Sequence, residues 1–400
     1  YKEGFTFNYK KNSNFLRGYF LLSRIDPKDL KPKIELWDLN KQELLHNWNI
    51  DTEKLIKDFK LKSKIKKAFA LRFLHPILLK DGSIITHIQP EYEDTALIKF
   101  DKCGNLINSY SNMYGFHHSI EMDSNGKLYV PVATTKSKSR FYKNYREFNK
   151  NSNKRYRNEG IAILDNSLNL ERIIPLDEIM HSIGLLNDLN SPLQKIKHDP
   201  YHLNDIHPHI NKEGETILYL SIKHYGLIRY NHSNKKVDWI IRGLTDLQHD
   251  ITPIHNSNNS ISIFDNGYEQ NTPVGNFKGN TILKLTFSGD MNNKTNFYLG
   301  RNIDKQGVIK ERIDFSDLPK NLVPNTLTEG RGRFLKNNHI YIEETNHGRA
   351  FQYDFENKKI VWSYLNKLKS GKTYSLAWSR YYEELPSGLN IMSLKKCLKF

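Results

Sequence analysis

Three histidines, an asparagine and a glutamate recur at matching places along this chain. His75-Pro-Ile, His118-Ser-Ile, Asn204-Asp-Ile and His249-Asp-Ile each lead through a short turn into an alternating apolar run, and Glu329 opens a looser fifth copy. Further histidines stand close by: His117 before His118, His202 two before Asn204, and His207 and His209 after it. Imidazole takes up or gives a proton near neutral pH, attacks electrophiles through a bare nitrogen, and ligates metals. The cluster therefore points to a metal site, a nucleophile with acid–base partners, or an anion pocket. Zinc sites call for third and fourth ligands at fixed local spacing, and carboxylates near these histidines are few, so metal is the weaker reading and neither a metal nor a cofactor is assigned. His207-Pro-His209 would put two rings on one strand face, but an intervening proline equally marks an edge or bulge. Any one of these histidines could be a hydrogen-bonded structural residue. Their shared repeat position argues against that for the whole set.

The elements that must carry them repeat about every 55 to 70 residues, a period that belongs to radially repeated architectures. The openings run into Ser83–Thr86, Lys127–Val130, Ile217–Leu220, Ser260–Ile263 and Ile340–Ile342. A second strand follows in each unit, at Ile34–Asp38, Leu97–Asp101, Ile161–Asp165, Leu227–Asn231, Ile282–Thr286 and Phe351–Asp354. Short alternating strands joined at Asp, Asn or Gly turns describe antiparallel sheets of about four strands. Six of them predict an all-β fold, a six-bladed β-propeller with a central channel, spanning residues 1–400 as one domain. The start of each innermost strand would border that channel, which would bring the repeated residues together. The sixth opening is not visible; pairing of Gly18–Leu22 with the segment around Leu376–Ser379 is expected to close the ring.

Composition fits a folded chain, with 22 Tyr and 20 Phe among 400 residues to offset conformational entropy. No apolar stretch reaches the roughly 18 residues of a membrane span. The formal charge of +16 favours anionic partners: nucleic acid, acidic membrane, or a sulfate- or phosphate-bearing molecule. Much of it lies in a basic insertion at about 135–158, where Lys and Arg interleave with Phe141, Tyr142, Tyr145, Phe148 and Tyr156. Such interleaving can stack single-stranded nucleic acid, but a solvated loop is the stronger reading, so nucleic acid is not assigned as a partner. Lys54 to Lys67 reads as a short amphipathic helix packed on the flank. Two cysteines, Cys103 and Cys397, are too few for a disulfide framework and say little about compartment. The chain begins at Tyr1 rather than Met, so a removed leader and a periplasmic or secreted location are expected, with the cytoplasm left open.

The residues resemble a family, the bacterial arylsulfotransferases. The resemblance rests on Arg17–Arg24, His202-Leu-Asn-Asp205, Gln248-His-Asp-Ile251 with Ile263-Phe-Asp-Asn-Gly267, Glu343–Arg349 and Leu376–Tyr381, and it covers nearly the whole chain. It implies a six-bladed propeller that moves a sulfuryl group from an aryl sulfate donor to a phenolic acceptor without a nucleotide donor. His249 matches the family histidine that becomes transiently sulfated, His118 matches a second family histidine, and His202 with Asn204 matches a His-x-Asn pair. His118 or His202 would deprotonate the acceptor. Where the family places an arginine, this chain has Lys223, which trades a planar fork for a point charge. Lys223 and Arg380 are the expected contacts to sulfate oxygens. Glu329 is expected to pair with Arg331 or Arg349. The other reading consistent with the residues is a propeller that binds an anionic ligand or a protein without reaction, since propellers host many functions.

Overall fold

The computed structural model describes residues 4–11, 18–59, 71–90, 96–111, 115–134, 158–184, 201–223, 225–254, 259–269, 276–288 and 296–398. The basic insertion lies outside them. Six antiparallel sheets form the blades of a β-propeller. Two compact units share them equally, residues 1–112 with 314–400 and residues 113–313.

In the first unit, blade 1 combines Tyr19–Ile25, Pro32–Asp38 and Glu43–Asn47 with Arg380–Tyr382 from the far end of the chain. Tyr19 faces Tyr382, Leu21 faces Arg380, and a further bridge joins Arg24 to Leu376. Blade 2 runs Leu71–Leu78, Ile84–Pro90, Ala96–Phe100 and Leu106–Ser111. Blade 6 runs Arg331–Phe334, His339–Glu344, Arg349–Asp354 and Lys359–Leu365, with Gly4–Phe7 added at its outer edge. In the second unit, blade 3 holds Glu121–Met122, Leu128–Thr134, Asn158–Leu164 and Leu170–Pro175. Blade 4 holds Leu203–Ile210, Thr216–Ile222, Gly226–Asn231 and Lys236–Arg242, and a fifth strand, Asn296–Leu299, pairs parallel to its edge. Blade 5 holds Asp250–Pro253, Ser260–Asp265, Thr281–Phe287 and Val308–Ile313. Two blades thus exceed the four strands expected of each unit.

The second strand of blade 4 explains why such segments read as unbroken apolar runs. Its side chains alternate between faces, and both faces are covered. Ile217 and Tyr219 pack with Trp239, Ile251 and Ile263, while Leu218, Leu220 and Ile222 pack with Ile161, Ile206 and Tyr225. Each such side chain stabilises the fold by roughly 1.5–3 kcal/mol on burial. Recurring aspartates tighten the turns: Asp101 accepts from the backbone of Cys103 and Asn105, Asp123 from Asn125 and Lys127, and Asp165 from Ser167 and Asn169.

The helix expected over Lys54 to Lys67 is seen at Thr52–Asp58, capped by the Asp51 carboxylate on the Lys54 N–H and anchored by buried Leu55; the remainder, from residue 60, lies outside the described residues. The two cysteines form one disulfide, Cys103–Cys397, with Cα atoms 5.1 Å apart. It ties the outer turn of blade 2 to the C-terminal segment, where Leu394 is buried in the same core as Leu45 and Trp48.

Candidate active site

A backbone device recurs along the inner strands, just ahead of them in blades 3, 6 and 1 and within Leu71–Leu78 in blade 2. His75, His118, Glu329 and Trp378 each adopt a left-handed conformation, with φ of 52°, 59°, 58° and 57°. Side chains other than glycine rarely adopt it, and it costs about 1 kcal/mol or more. Trp378-Ser-Arg380 is the sixth opening, hidden in the sequence because it carries an indole instead of an imidazole. In blade 5 the left-handed residue is Leu247, with φ of 62°, two positions before His249.

At His118 this turn has a direct chemical effect. Successive side chains of a regular strand point to opposite faces. Here the rings of His117 and His118 meet instead, with Nδ1 atoms 2.7 Å apart and centroids 4.9 Å apart. His118 is the hub of four rings, its centroid 4.9 Å from His202 and 5.9 Å from His249. His117 lies over His202 at 5.6 Å. Behind them, the Glu159 carboxylate is fully buried; its Oε2 accepts the Leu203 N–H at 2.7 Å and stands 3.2 Å from His117 Nε2, an ion-pair separation.

His249 is 2 % exposed, and its Nδ1 faces two oxygens: the Leu247 carbonyl at 2.9 Å and Asn266 Oδ1 at 2.7 Å. A carbonyl can only accept, so Nδ1 carries the hydrogen and Nε2 keeps its lone pair. The left-handed bend at Leu247 turns that carbonyl back toward the ring. Asn266 is held in turn by the Asn280 side chain, which donates to its backbone carbonyl. The Asp250 carboxylate accepts from Thr252 Oγ1 on its own strand.

Asn204 is fully buried and donates through Nδ2 to the Gln248 carbonyl at 2.6 Å. Gln248 reaches back to the carbonyls of Ile222 and Gly226, and Asp205 accepts the Ile251 N–H. These bonds clip blade 4 to the segment carrying His249, so Asn204 works on the backbone of the site. Lys223 directly follows the second strand of blade 4, and its N–H donates to the His202 carbonyl at 2.9 Å. His118, His202, Asn204, Lys223 and His249 all belong to the second unit. Among the described residues no group of three or more His, Cys, Asp or Glu has a metal-holding arrangement.

The first unit has its own polar cluster. His75 is fully buried, its N–H bonded to the Ala377 carbonyl and its ring edge-on to Trp378 at 5.6 Å. Arg380, expected to contact sulfate, donates its Nε–H to the Pro76 carbonyl at 2.7 Å. Glu329 pairs with Arg72, through contacts of 2.8 and 3.0 Å, because the inner-strand side chains of blades 2 and 6 converge there; the expected partners are elsewhere, Arg349 on Glu344 and Arg331 over the Trp378 ring. Glu343 is buried beneath Trp378 and Ser379 and accepts both backbone N–H groups. Burial pushes its carboxyl up to about 7 against the hydrogen bonds it accepts.

Sequence reasoning missed Glu159 and the roles of Glu343 and Asn266. Glu343 and Asn266 left a signal, inside the Glu343–Arg349 and Phe-Asp-Asn-Gly segments; Glu159 left none.

Comparison with known proteins places these motifs in a family. The family model for arylsulfotransferase (ASST) matches residues 75–367. No curated protein matches the sequence. Similar solved structures include a protein of unknown function from Bacteroides caccae, 10% identical, covering 92% of this chain and 100% of that one with a TM-score of 0.49. Another is a candidate 6-phosphogluconolactonase from Bacteroides fragilis, also 10% identical, covering 88% and 82% with a TM-score of 0.43. The family match spans most of the chain and takes in every histidine of the cluster, and the chain belongs to the arylsulfotransferase family.

Proposed function

We propose that the protein transfers a sulfuryl group from an aryl sulfate to a phenol through a covalent intermediate on His249 Nε2. The observation that carries this reading is the Leu247 carbonyl at 2.9 Å from His249 Nδ1. With hydrogen fixed on Nδ1, the bare Nε2 is a nucleophile without any prior proton removal. It attacks sulfur, the S–O bond to the aryl group breaks, and the phenolate leaves with the electron pair. The ring becomes an N-sulfo imidazolium whose positive charge is met by the Leu247 and Asn266 oxygens. In the second half-reaction an acceptor phenol gives up its proton, its oxygen attacks sulfur, and the S–N bond returns its electrons to Nε2. Lys223 supplies positive charge to the sulfuryl oxygens, less directionally than a guanidinium would.

The Cys103–Cys397 bridge supports a periplasmic or secreted location, because disulfides persist in oxidising compartments and are rare in the cytosol. Among the described residues no helix is long and apolar enough to cross a membrane.

A chromogenic aryl sulfate with excess phenol tests the reaction. Wild type should release one equivalent of chromogenic phenol in a burst without acceptor and turn over when acceptor is added. His249→Ala should lose both while keeping its melting temperature. Radiolabelled sulfate trapped on another residue would overturn the assignment of the nucleophile. Wild type that neither labels nor releases phenol would leave a binding module.

A further inference from the structure

We propose that Glu159 and His117 are positioning residues that make His118, rather than His202, the base for the acceptor phenol. This rests on the sulfohistidine reading above. Glu159 is fully buried, and its oxygen beside Leu203 N–H stands 3.2 Å from His117 Nε2. A carboxylate favours the tautomer with hydrogen on the nitrogen nearest it, so His117 carries hydrogen on Nε2 and a lone pair on Nδ1. That lone pair is 2.7 Å from His118 Nδ1. Two lone pairs cannot share that distance, so His118 donates its Nδ1–H and keeps Nε2 bare. The relay runs from the carboxylate, 3.2 Å from the first ring, through the hydrogen-bonded pair of rings to a nitrogen able to take a proton. His202 touches both rings, at 5.6 and 4.9 Å, and its backbone carbonyl accepts the Lys223 N–H.

The cluster holds the acceptor's proton until solvent or the next departing phenolate takes it. The acceptor O–H gives its proton to His118 Nε2 as the oxygen bonds to sulfur and the S–N bond to His249 breaks. His118 then passes its Nδ1 hydrogen to His117 Nδ1. The positive charge comes to rest on His117, against the Glu159 carboxylate and one ring further from the His249 imidazole.

Glu159→Gln weakens the relay. Its amide oxygen still accepts the Leu203 N–H and stays beside His117 Nε2, but the negative charge that holds the Nε2 hydrogen and stabilises the protonated His117 ring is gone. Acceptor-dependent turnover with an ordinary phenol should fall about a hundredfold, and acidic phenols, which arrive already ionised, should recover most of it. The alkaline rise of the pH–rate profile, to which His202 and His249 beside His118 can also contribute, should track the acceptor's own ionisation in the variant. His117→Phe keeps ring volume, removes the acceptor nitrogen and should give the same selective recovery, with thermal melting reporting the fold of both variants. An equal loss for acidic and ordinary phenols overturns the relay, as does selective recovery in His202→Ala and not in these two. A wild-type protein with no burst overturns the parent reading instead.

Discussion

A nucleophilic ring that forms and breaks a bond to sulfur in each turnover needs its other nitrogen held. His249 Nδ1 is held twice, and the two oxygens do different work. The Leu247 carbonyl fixes the tautomer, while Asn266 adds a second acceptor that orients the ring and stabilises the imidazolium. Asn266→Ala should therefore keep the reactive tautomer and lose part of the orientation. The burst rate with aryl sulfate should drop about 10–100-fold, by analogy with the loss when a metal-bound histidine is deprived of its outer hydrogen-bond partner. Donor KM should change little, and single-turnover kinetics would separate the two. A loss as complete as that of His249→Ala would mean that the carbonyl alone does not hold the tautomer.

Strands and turns bring these residues into register, and Gly226 is a tight point beside the site. It begins the third strand of blade 4 at φ 136°, and a Cβ there would lie 2.1 Å from the Ile241 carbonyl oxygen. Its own carbonyl accepts from Gln248, one residue before His249. Gly226→Ala should cost about 2 kcal/mol or more through strand displacement, seen as a lower denaturation midpoint, and should slow the burst as well. In blade 6, the Glu343 carboxyl latches the backbone of Trp378 and Ser379. Burial raises its value from 4.5 to about 7, so folding takes up a proton between those limits. The associated stabilisation is complete below the ordinary carboxyl range and fades as pH climbs through about 7. Melting temperature should accordingly fall more steeply from pH 5 to 8 in wild type than in Glu343→Gln. The six strands from Ile34–Asp38 to Phe351–Asp354, each third from its blade's inner edge, were legible in the sequence because local signals fix them, an alternating run buried on both faces and, in most, an Asp or Asn at the turn. Gly4–Phe7 and Asn296–Leu299 were not, since edge strands are specified by the sheet they join. The same divide runs through the site. His118, His202 and His249 announce themselves by type and motif, whereas Glu159 stands next to them only through tertiary packing, and Glu329 found Arg72 across a separation of 257 residues.

For the molecule as a whole, the disulfide joins residues 294 apart in sequence. Cross-links over long loops stabilise mainly by restricting the unfolded chain, typically by 2–4 kcal/mol. Cys103→Ser should melt at a lower temperature yet retain aryl sulfate turnover while folded, because the bridge lies in the first unit and the histidine cluster in the second. Thiol titration of the unfolded, unreduced wild type should find no free thiol. Two titratable thiols in protein taken from its native compartment would remove the support for an extracytoplasmic location.

Blade 1 is assembled from both ends of the chain, Tyr19–Ile25 taking Arg380–Tyr382 as its inner neighbour. A ribosome or a translocation pore delivers residue 20 long before residue 380. For most of synthesis, then, Phe20 and Leu21 belong to a sheet whose inner neighbour does not yet exist, and an exposed strand edge of this kind is an invitation to aggregate or to be cut. The segment carrying Arg380–Tyr382 decides whether what precedes it is kept. A message broken, or a nascent chain clipped, just ahead of residue 380 would yield a protein bearing every histidine of the cluster and still lacking the strand that shields Phe20 and Leu21. The fold itself thereby checks that synthesis has passed that point.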